Sequence, residues 1–374
     1  MTNQLFRSPR PALRVAVLGA EGLGAEVTRI LRDTSDDLCE RAGAELIVVP
    51  SSAQAELVVD TTGDPAAVLG ALEAGASVVT ADTVLVAEHG HRLAAAAEHC
   101  GGDLFFEAAV AGGVPVVRPL TQSLSGDRVE RVLAVLPTAD AAAQAAILAT
   151  LAFHTRVEVG DVHCAEPAQV TADDLAATAA LGLCLRTLTV CTRVGERPEA
   201  GGKEQISVRV HPALLPATDP IAQMEPPFSA VAIDATGAGR LMFSGAPTIP
   251  ATAAALLGDL VTAARNRVNG GRAPRASYYA QLPIAPLGDT PTRYYLNLLV
   301  TDHAGALSRV AEIFAAGNVS IARVRQERHG PDAHLIVLTH QSPESALTDT
   351  IDALTEAPAV RAVTTRLRVE GTHD

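Results

Sequence analysis

Short apolar runs alternate with amphipathic segments from residue 14 to residue 106. Each run has the length and composition of a buried strand, and the segments between them repeat apolar residues at helical spacing. This alternation predicts a parallel sheet covered by helices. The predicted strands are Arg14–Gly19, Ala44–Val49, Glu56–Asp60, Ser77–Thr80 and Asp103–Phe106, and the predicted helices follow Gly24 and span Pro65–Ala76 and Val84–Glu98.

The pattern changes after residue 136, where Ala- and Leu-rich segments predict helices at Asp140–His154 and Asp173–Leu188. Gly- and Pro-rich stretches between residues 269 and 292 then predict a domain boundary. Beyond it the elements are predicted in the order β-α-β-β-α-β. The strands are Arg293–Thr301, Ile321–Glu327, His334–His340 and Val360–Val369, and the helices are Ser342–Glu356 and one with Leu307, Val310, Ala311 and Phe314 on a shared face.

Composition narrows the class of protein. A chain of 374 residues exceeds what one hydrophobic core usually holds, so we expect two or three domains. A net charge of −13 argues against a nucleic-acid partner, because phosphate contacts need clustered Lys and Arg. Five cysteines without a CxxC pair indicate reduced thiols. With neither a signal-peptide pattern nor an apolar run of membrane length, we expect a cytoplasmic protein without membrane contact.

A glycine turn follows the first predicted strand, at residues 19–24. Strand, glycine turn and helix are typical of a dinucleotide-binding fold, in which helix N-terminal amides hold the pyrophosphate. The fingerprint places glycine first, third and sixth, but this sequence has Gly19, Glu21 and Gly24, and Gly22 fits only in a shifted register. The carboxylate of Glu21 opposes a phosphate by both bulk and charge. The turn therefore indicates the fold more strongly than it indicates cofactor binding.

The stretch Asp103–Pro115 passes from a buried strand into small residues, a Gly112-Gly113 pair and a proline. Small side chains at these positions predict that the backbone comes close to another group. A strand-to-loop transition with close helix packing is the alternative that needs no ligand.

Several stretches, in this order, resemble homoserine dehydrogenases. The resemblance implies interconversion of aspartate 4-semialdehyde and homoserine with NADP or NAD, on the route to threonine and methionine. It implies an α/β fold with a doubly wound, Rossmann-like domain at 1–136 and an α+β substrate and dimerisation domain at 137–285. Cofactor contacts are expected at Gly19, Gly22, Gly24 and Thr80. The resemblance is carried by Val78–Thr83, Leu85–Gly90, Phe106–Pro115, Arg118–Leu120, Ala145–His154, Val208–Pro212, Leu241–Phe243 and Leu257–Leu260.

The sequence departs from the family pattern at the positions of the family's catalytic groups. Thr83 stands where family members have a lysine, and Gln144 stands four residues after Asp140, in the place of the family's proton-donating lysine. An amide cannot deliver a proton, and general acid catalysis is commonly worth about a hundred- to ten-thousand-fold in rate. The chain also lacks the family's insertion after Leu136, and prolines close its 244–250 loop. We therefore expect a catalytically silent or impaired protein with a scaffolding and sensing role; the alternative is an active enzyme with relocated groups, such as Asp140, under feedback regulation.

The resemblance also implies a site for a monovalent cation such as Na⁺, held largely by backbone carbonyls. A tight turn that needs no ion is the open alternative. The residues that match the family's cation loop are Glu107, Val110, Gly112 and Val114.

Residues 292–370 resemble an ACT domain, a ferredoxin-like module that senses amino acids. The resemblance implies a small amino-acid effector, with threonine as one candidate, bound between two such domains in a homodimer or larger assembly. An active homologue is a further expected partner, and a dimerisation domain without ligand is the alternative. The residues that match the effector site are Asp302, Gly305, Ala306, Leu307, Asn318 and Ile321.

Overall fold

A computed structural model of the chain describes residues 10–166, 170–196, 203–275, 277–301, 305–329 and 332–371. These residues form two compact units. The first unit contains residues within 1–132, 136–161 and 226–281, and the second contains residues within 133–135, 162–225 and 282–374. The domain boundaries predicted from the sequence stay predictions.

Helices and strands alternate along the first part of the chain. Up to residue 161 the elements are β1 (Ala12–Leu18), α1 (Leu23–Asp33), α2 (Ser35–Ala42), β2 (Glu45–Val48), β3 (Leu57–Asp60), α3 (Pro65–Glu73), β4 (Ser77–Thr80), α4 (Thr83–Cys100), β5 (Leu104–Phe105), β6 (Val129–Val135) and α5 (Ala141–Phe153). The middle of the chain adds β7 (His163–Cys164), α6 (Ala172–Ala180), β8 (Leu183–Val194), β9 (Gln205–Pro216), β10 (Ser229–Ala235), β11 (Gly239–Gly245) and α7 (Ile249–Asn269). The last part contains β12 (Pro291–Thr292), β13 (Tyr294–Val300), α8 (Ala306–Ala316), β14 (Ile321–His329), β15 (Asp332–Thr339), β16 (Ser342–Pro343), α9 (Glu344–Glu356) and β17 (Val360–Val369).

The first unit is built on a parallel sheet with the strand order β2-β1-β3-β4-β5. All four residues of β3 and of β4 are buried, which explains why their sequences are continuous apolar runs without alternation. Residues of α1, α2 and α7 pack with sheet residues in one core, and residues of α3 and α4 share a second core with sheet residues. The predicted doubly wound α/β fold is confirmed for this unit.

The second unit contains a mixed sheet in which β8 pairs antiparallel with β9 along twelve residues each. The prediction of one helix over Asp173–Leu188 is wrong, because α6 ends at Ala180 and β8 begins at Leu183. Gly182, with φ +72°, lies at the break. The strand that follows contains three Thr and two Val residues, and β-branched side chains favour a strand once a partner satisfies the backbone.

The C-terminal elements of the second unit occur in the predicted β-α-β-β-α-β order, and their strands are arranged as β17-β13-β15-β14. Val310 and Phe314 of α8 are buried against this sheet, as predicted. Leu307 is 48% exposed and Ala311 is also exposed, so these two residues do not belong to the buried face. Within the described ranges, no helix combines the length and the apolar character that a bilayer crossing needs.

A buried carboxylate joins α6 to this sheet within the second unit. Asp174 is 1% exposed, and its Oδ1 accepts a hydrogen bond of 2.7 Å from Nδ2 of Asn297 on β13. Its Oδ2 accepts bonds from Thr365 Oγ1 on β17 at 2.6 Å and from the backbone N–H of Thr171 at 3.1 Å. His334 Nδ1 lies 2.9 Å from Oδ1 of the same Asn297. Because both oxygens of the Asp174 carboxylate have partners, the network fixes α6 on the sheet.

Candidate functional site

The glycine turn of the first unit has the backbone form that a dinucleotide fold requires. Gly19 has φ +100°, and a Cβ there would lie 2.3 Å from Thr61 Oγ1. A Cβ on Gly24 would lie 2.1 Å from the Gly19 carbonyl oxygen, so helix α1 packs too close to β1 for any side chain. Gly22 precedes α1 with φ +53°, and a Cβ there would have no other atom within 4 Å. The structure itself therefore requires Gly19 and Gly24, with or without a cofactor.

The side chains around this turn fit a pyrophosphate less well than its backbone does. Glu21 is exposed beside the start of α1, where the positive end of the helix dipole would otherwise attract an anion. Glu26 adds a second carboxylate in the first turn, although Arg29 pairs with it at 2.8 Å. Ser51, which follows β2, accepts a hydrogen bond from the N–H of Ala53 and supplies no charge for a ribose. The backbone of the turn thus suits a dinucleotide, whereas the carboxylate of Glu21 would repel its phosphates.

Thr80, predicted as a cofactor contact, is fully buried at the end of β4. Its Oγ1 donates to Oδ2 of the buried Asp60 at 2.8 Å. The other oxygen of Asp60 accepts bonds from the N–H and the hydroxyl of Thr62. This carboxylate therefore organises the carboxyl ends of β3 and β4, and it is a residue that sequence reasoning missed.

The two positions that the resemblance assigns to lysines hold the loop after β5. Thr83, the first residue of α4, donates from Oγ1 to the Ala109 carbonyl at 2.6 Å. Gln144 on α5 is 6% exposed, and its Oε1 accepts the N–H of Ala111 at 2.9 Å. Ala111 has φ +52°, a conformation that L side chains rarely adopt, so this bond stabilises a strained turn. Both side chains thus bind the protein's own backbone.

The segment before α7 closes over the same loop. A Cβ on Gly112 would lie 2.2 Å from Pro247 Cβ, and one on Gly113 would lie 2.9 Å from the Ala251 carbonyl. Thr252 Oγ1 lies 3.2 Å from the Gly112 carbonyl and donates to it. The close backbone approach predicted for the glycine pair is confirmed, and the group that approaches is the protein's own chain.

Asp140, the remaining candidate for catalysis, precedes α5 and is exposed. Its side chain makes no capping hydrogen bond to the helix, while its carbonyl accepts the N–H of Gln144 at 3.0 Å. The structure therefore brings Thr83 and Gln144 to one loop and leaves the Asp140 carboxylate facing solvent.

The carboxylate of Glu107 is directed at its own loop. It is 3% exposed and accepts the backbone N–H groups of Val116, Val117 and Arg118 at 2.6, 2.7 and 3.0 Å. No group of three or more His, Cys, Asp or Glu side chains able to hold a metal occurs among the described residues. A cation bound by backbone carbonyls of this loop stays a prediction. The remaining residues proposed for it, Val110, Gly112 and Val114, lie in the same turn.

The sequence did not predict the ion pair between Asp259 and Arg118 beneath this loop. Asp259 of α7 is 1% exposed, accepts the Glu107 N–H at 2.9 Å through Oδ2, and pairs with the Arg118 guanidinium through Oδ1. Burial raises the pKa of Asp259 to about 7 against the opposing effect of Arg118. The only sequence signal for this carboxylate is the Gly-Asp-Leu stretch at 258–260, which carries part of the family resemblance.

Comparison with known proteins decides the family. The homoserine dehydrogenase family model matches residues 136–261. The homoserine dehydrogenase of Mycobacterium tuberculosis (strain H37Rv) is 42% identical over 436 aligned positions, which cover 96% of this chain and 98% of the relative. The chain belongs to the homoserine dehydrogenase family. The Corynebacterium glutamicum enzyme is 38% identical over 435 positions, covering 97% of each chain.

Solved structures support the same family. A homoserine dehydrogenase from Thiobacillus denitrificans superposes with a TM-score of 0.85 at 26% identity, covering 98% of this chain and all of that one. Homoserine dehydrogenases use NAD(P), and the Rossmann-like first unit suits that class of cofactor. The alignment with the mycobacterial relative has 436 positions, whereas this chain has 374 residues. The relative therefore has residues with no counterpart in this chain.

The residues proposed for an effector lie in the second unit. Gly305 precedes α8 with φ +99°, and Ala306 and Leu307 form the first turn of that helix. Asn318, with φ +54°, follows the other end of the helix, which has 11 residues and is about 16 Å long. Within one chain, the residues at the start of α8 and Asn318 therefore lie at opposite ends of the helix. Ile321 opens β14, and Asp302 lies outside the described residues.

Proposed function

We propose that this chain is a homoserine dehydrogenase family member without effective catalysis, which serves as a scaffold and amino-acid sensor. The observation that carries the proposal is the use of Thr83 and Gln144. These positions, assigned by resemblance to ammonium groups, hold neutral side chains whose polar atoms bind the carbonyl of Ala109 and the N–H of Ala111. Hydride transfer to a carbonyl needs a proton donor and positive charge near the oxygen, and neither side chain supplies them.

The packing of the 244–250 loop against Gly112 supports the same proposal. Pro247 contacts Gly112, and Thr252 is bonded to the Gly112 carbonyl, so the 244–250 loop, which the resemblance places at the nicotinamide, packs against the Gly112-Gly113 turn. The chain also lacks residues that the mycobacterial relative has. A substrate therefore meets fewer groups and less space than the family reaction requires.

We propose a sensing role for the C-terminal part, which has the ACT-type order of elements. The exposed first turn of α8 offers backbone amides to a carboxylate, with threonine as one candidate ligand. Because Asn318 lies at the far end of α8, an effector that contacts both groups needs a second copy of the unit. A homodimer or larger assembly, or pairing with an active homologue, follows from this proposal.

An active enzyme with relocated groups is the second candidate. The 42% identity to a homoserine dehydrogenase and the exposed carboxylate of Asp140 favour it. Activity with a cofactor distinguishes the two candidates.

We expect the purified full chain to oxidise homoserine at least about a hundredfold more slowly than the mycobacterial relative, because it lacks the general acid. NADPH and NADH should bind weakly in fluorescence titrations. Glu21→Gly should bind NADPH at least about tenfold more tightly, because it removes a carboxylate from the pyrophosphate position. Both cofactors and homoserine are tested with the wild-type chain, Glu21→Gly and the control Glu45→Ala.

Glu45 is an exposed carboxylate on the edge strand β2 and should not change cofactor affinity. Turnover comparable to the relative, lost in Asp140→Asn, would replace the proposal with the relocated-group enzyme. Tight NADPH binding by the wild-type chain would contradict the role assigned to Glu21.

We expect threonine to raise the thermal unfolding midpoint of the full chain, because a ligand that binds only the folded state stabilises it. Methionine and isoleucine serve as competing candidates in the same thermal-shift assay. Leu307→Glu, at an exposed position of the first turn of α8, should abolish the shift, whereas Ala311→Glu, an exposed position further along the helix, should keep it. A midpoint unmoved by all three amino acids would favour a dimerisation domain without ligand.

A further inference from the structure

A cavity of about 170 Å³ lies in the first unit, away from the glycine turn and beside the two ends of the loop held by Thr83 and Gln144, where Glu107 and Arg118 line it. It opens between α4, α5, the end of β5 and the chain that follows α7. None of its lining residues belongs to the predicted cofactor or lysine positions. Its apolar wall includes Val86, Ala94, Leu104, Phe106, Ile147 and Leu151.

One side chain gives this cavity its chemistry. Arg118 lines it and is about a third exposed, at 36% for the side chain. Its Nη2 is occupied by Asp259 and by Thr262 Oγ1, and its Nε lies 3.9 Å from Glu107 Oε2. Within the described part of the chain, the Nη1 group makes no hydrogen bond. The cavity is therefore lined by a guanidinium that is held in place through Nη2 and whose Nη1 has N–H groups left to donate.

Three arginines and two carboxylates line the cavity. The arginines are Arg118, Arg156 and Arg275, of which Arg156 is paired with Glu158 at 2.9 Å, and the carboxylates are Glu107 and Asp259. Both carboxylates already accept hydrogen bonds from backbone N–H groups or from Arg118 itself. A carboxylate ligand can therefore approach the free Nη1 group of Arg118 with limited repulsion from Glu107 and Asp259.

Size restricts the rest of the ligand. An engineered apolar cavity of about 150 Å³ in another protein binds benzene, so this one accommodates a single ring or a short branched chain. Small-molecule sites combine an apolar wall with a few polar groups that fix orientation.

We propose that this cavity binds a small monocarboxylate with an apolar body, its carboxylate on the Arg118 guanidinium and its body against α4 and α5. This site is separate from the proposed sensor and does not depend on it. A charge-assisted hydrogen bond from the free Nη1 group to a carboxylate is roughly twice as strong as one to a neutral amide of the same shape.

Calorimetric titration of the full chain with 4-methylvalerate and 3-phenylpropanoate tests the proposal. We expect dissociation constants of about 1 mM or tighter for at least one of them. The matching neutral amide should bind at least about tenfold more weakly. Absence of binding by both acids, or equal binding of acid and amide, would overturn the proposal.

A pair of variants on α4 locates the binding. Ala94→Leu fills the cavity and should abolish binding, whereas Ala95→Leu, on the exposed side of the same helix, should leave the affinity unchanged. Circular dichroism and thermal unfolding establish that both variants fold. Gly90→Val, which also projects into the cavity, replaces Ala94→Leu if that variant does not fold. Unchanged affinity in the folded cavity-filling variant would exclude this site.

Discussion

Gln144→Lys is expected to lower the free energy of unfolding by about 3 kcal/mol or more. Gln144 is 6% exposed and its Oε1 accepts the N–H of Ala111. A lysine there removes the acceptor, leaves a buried N–H unsatisfied and places an ammonium against a donor. Equilibrium urea unfolding of the full chain, followed by circular dichroism, gives the change from the shift in midpoint.

Two further variants separate the causes of this loss. Gln144→Met keeps the shape without the acceptor and should cost about 1–3 kcal/mol. Gln54→Lys makes the same substitution at an exposed position and should cost less than about 0.5 kcal/mol. If Gln144→Lys instead folds as stably as the wild type and gains turnover, then the pocket has kept room for the family's ammonium and the proposed loss of catalysis is wrong.

The parallel sheet could be predicted from the sequence because each of its strands is a short apolar run between turn residues. The four buried residues of β3 and of β4 show why these runs do not alternate. The boundary between α6 and β8 could not be predicted in this way. Leu183–Leu188 also fits a helical period, and pairing with neighbouring strands such as β9 makes it a strand.

The candidate site was predictable in part. The departures at Thr83 and Gln144 are visible in the sequence, but their hydrogen bonds reach Ala109 and Ala111, 26 and 33 residues away along the chain. No local pattern encodes such contacts. The Gly112-Gly113 pair did predict a close approach, although the partner, Pro247, is distant in sequence.

Asp174→Ala is expected to lower the free energy of unfolding by about 3–5 kcal/mol, because it removes the acceptor shared by Asn297, Thr365 and Thr171 within the second unit. Its neighbour Asp173 lies in the same first turn of α6 but is exposed, so Asp173→Ala should cost less than about 1 kcal/mol through the helix dipole alone. Urea unfolding of both variants provides the comparison. Similar losses in the two would mean that negative charge in the first turn of α6, and not the buried network, stabilises this part of the chain. A large loss in Asp174→Ala alone would show that the buried carboxylate fixes α6 on the sheet, through its bonds to Asn297 and Thr365 and its capping box with Thr171.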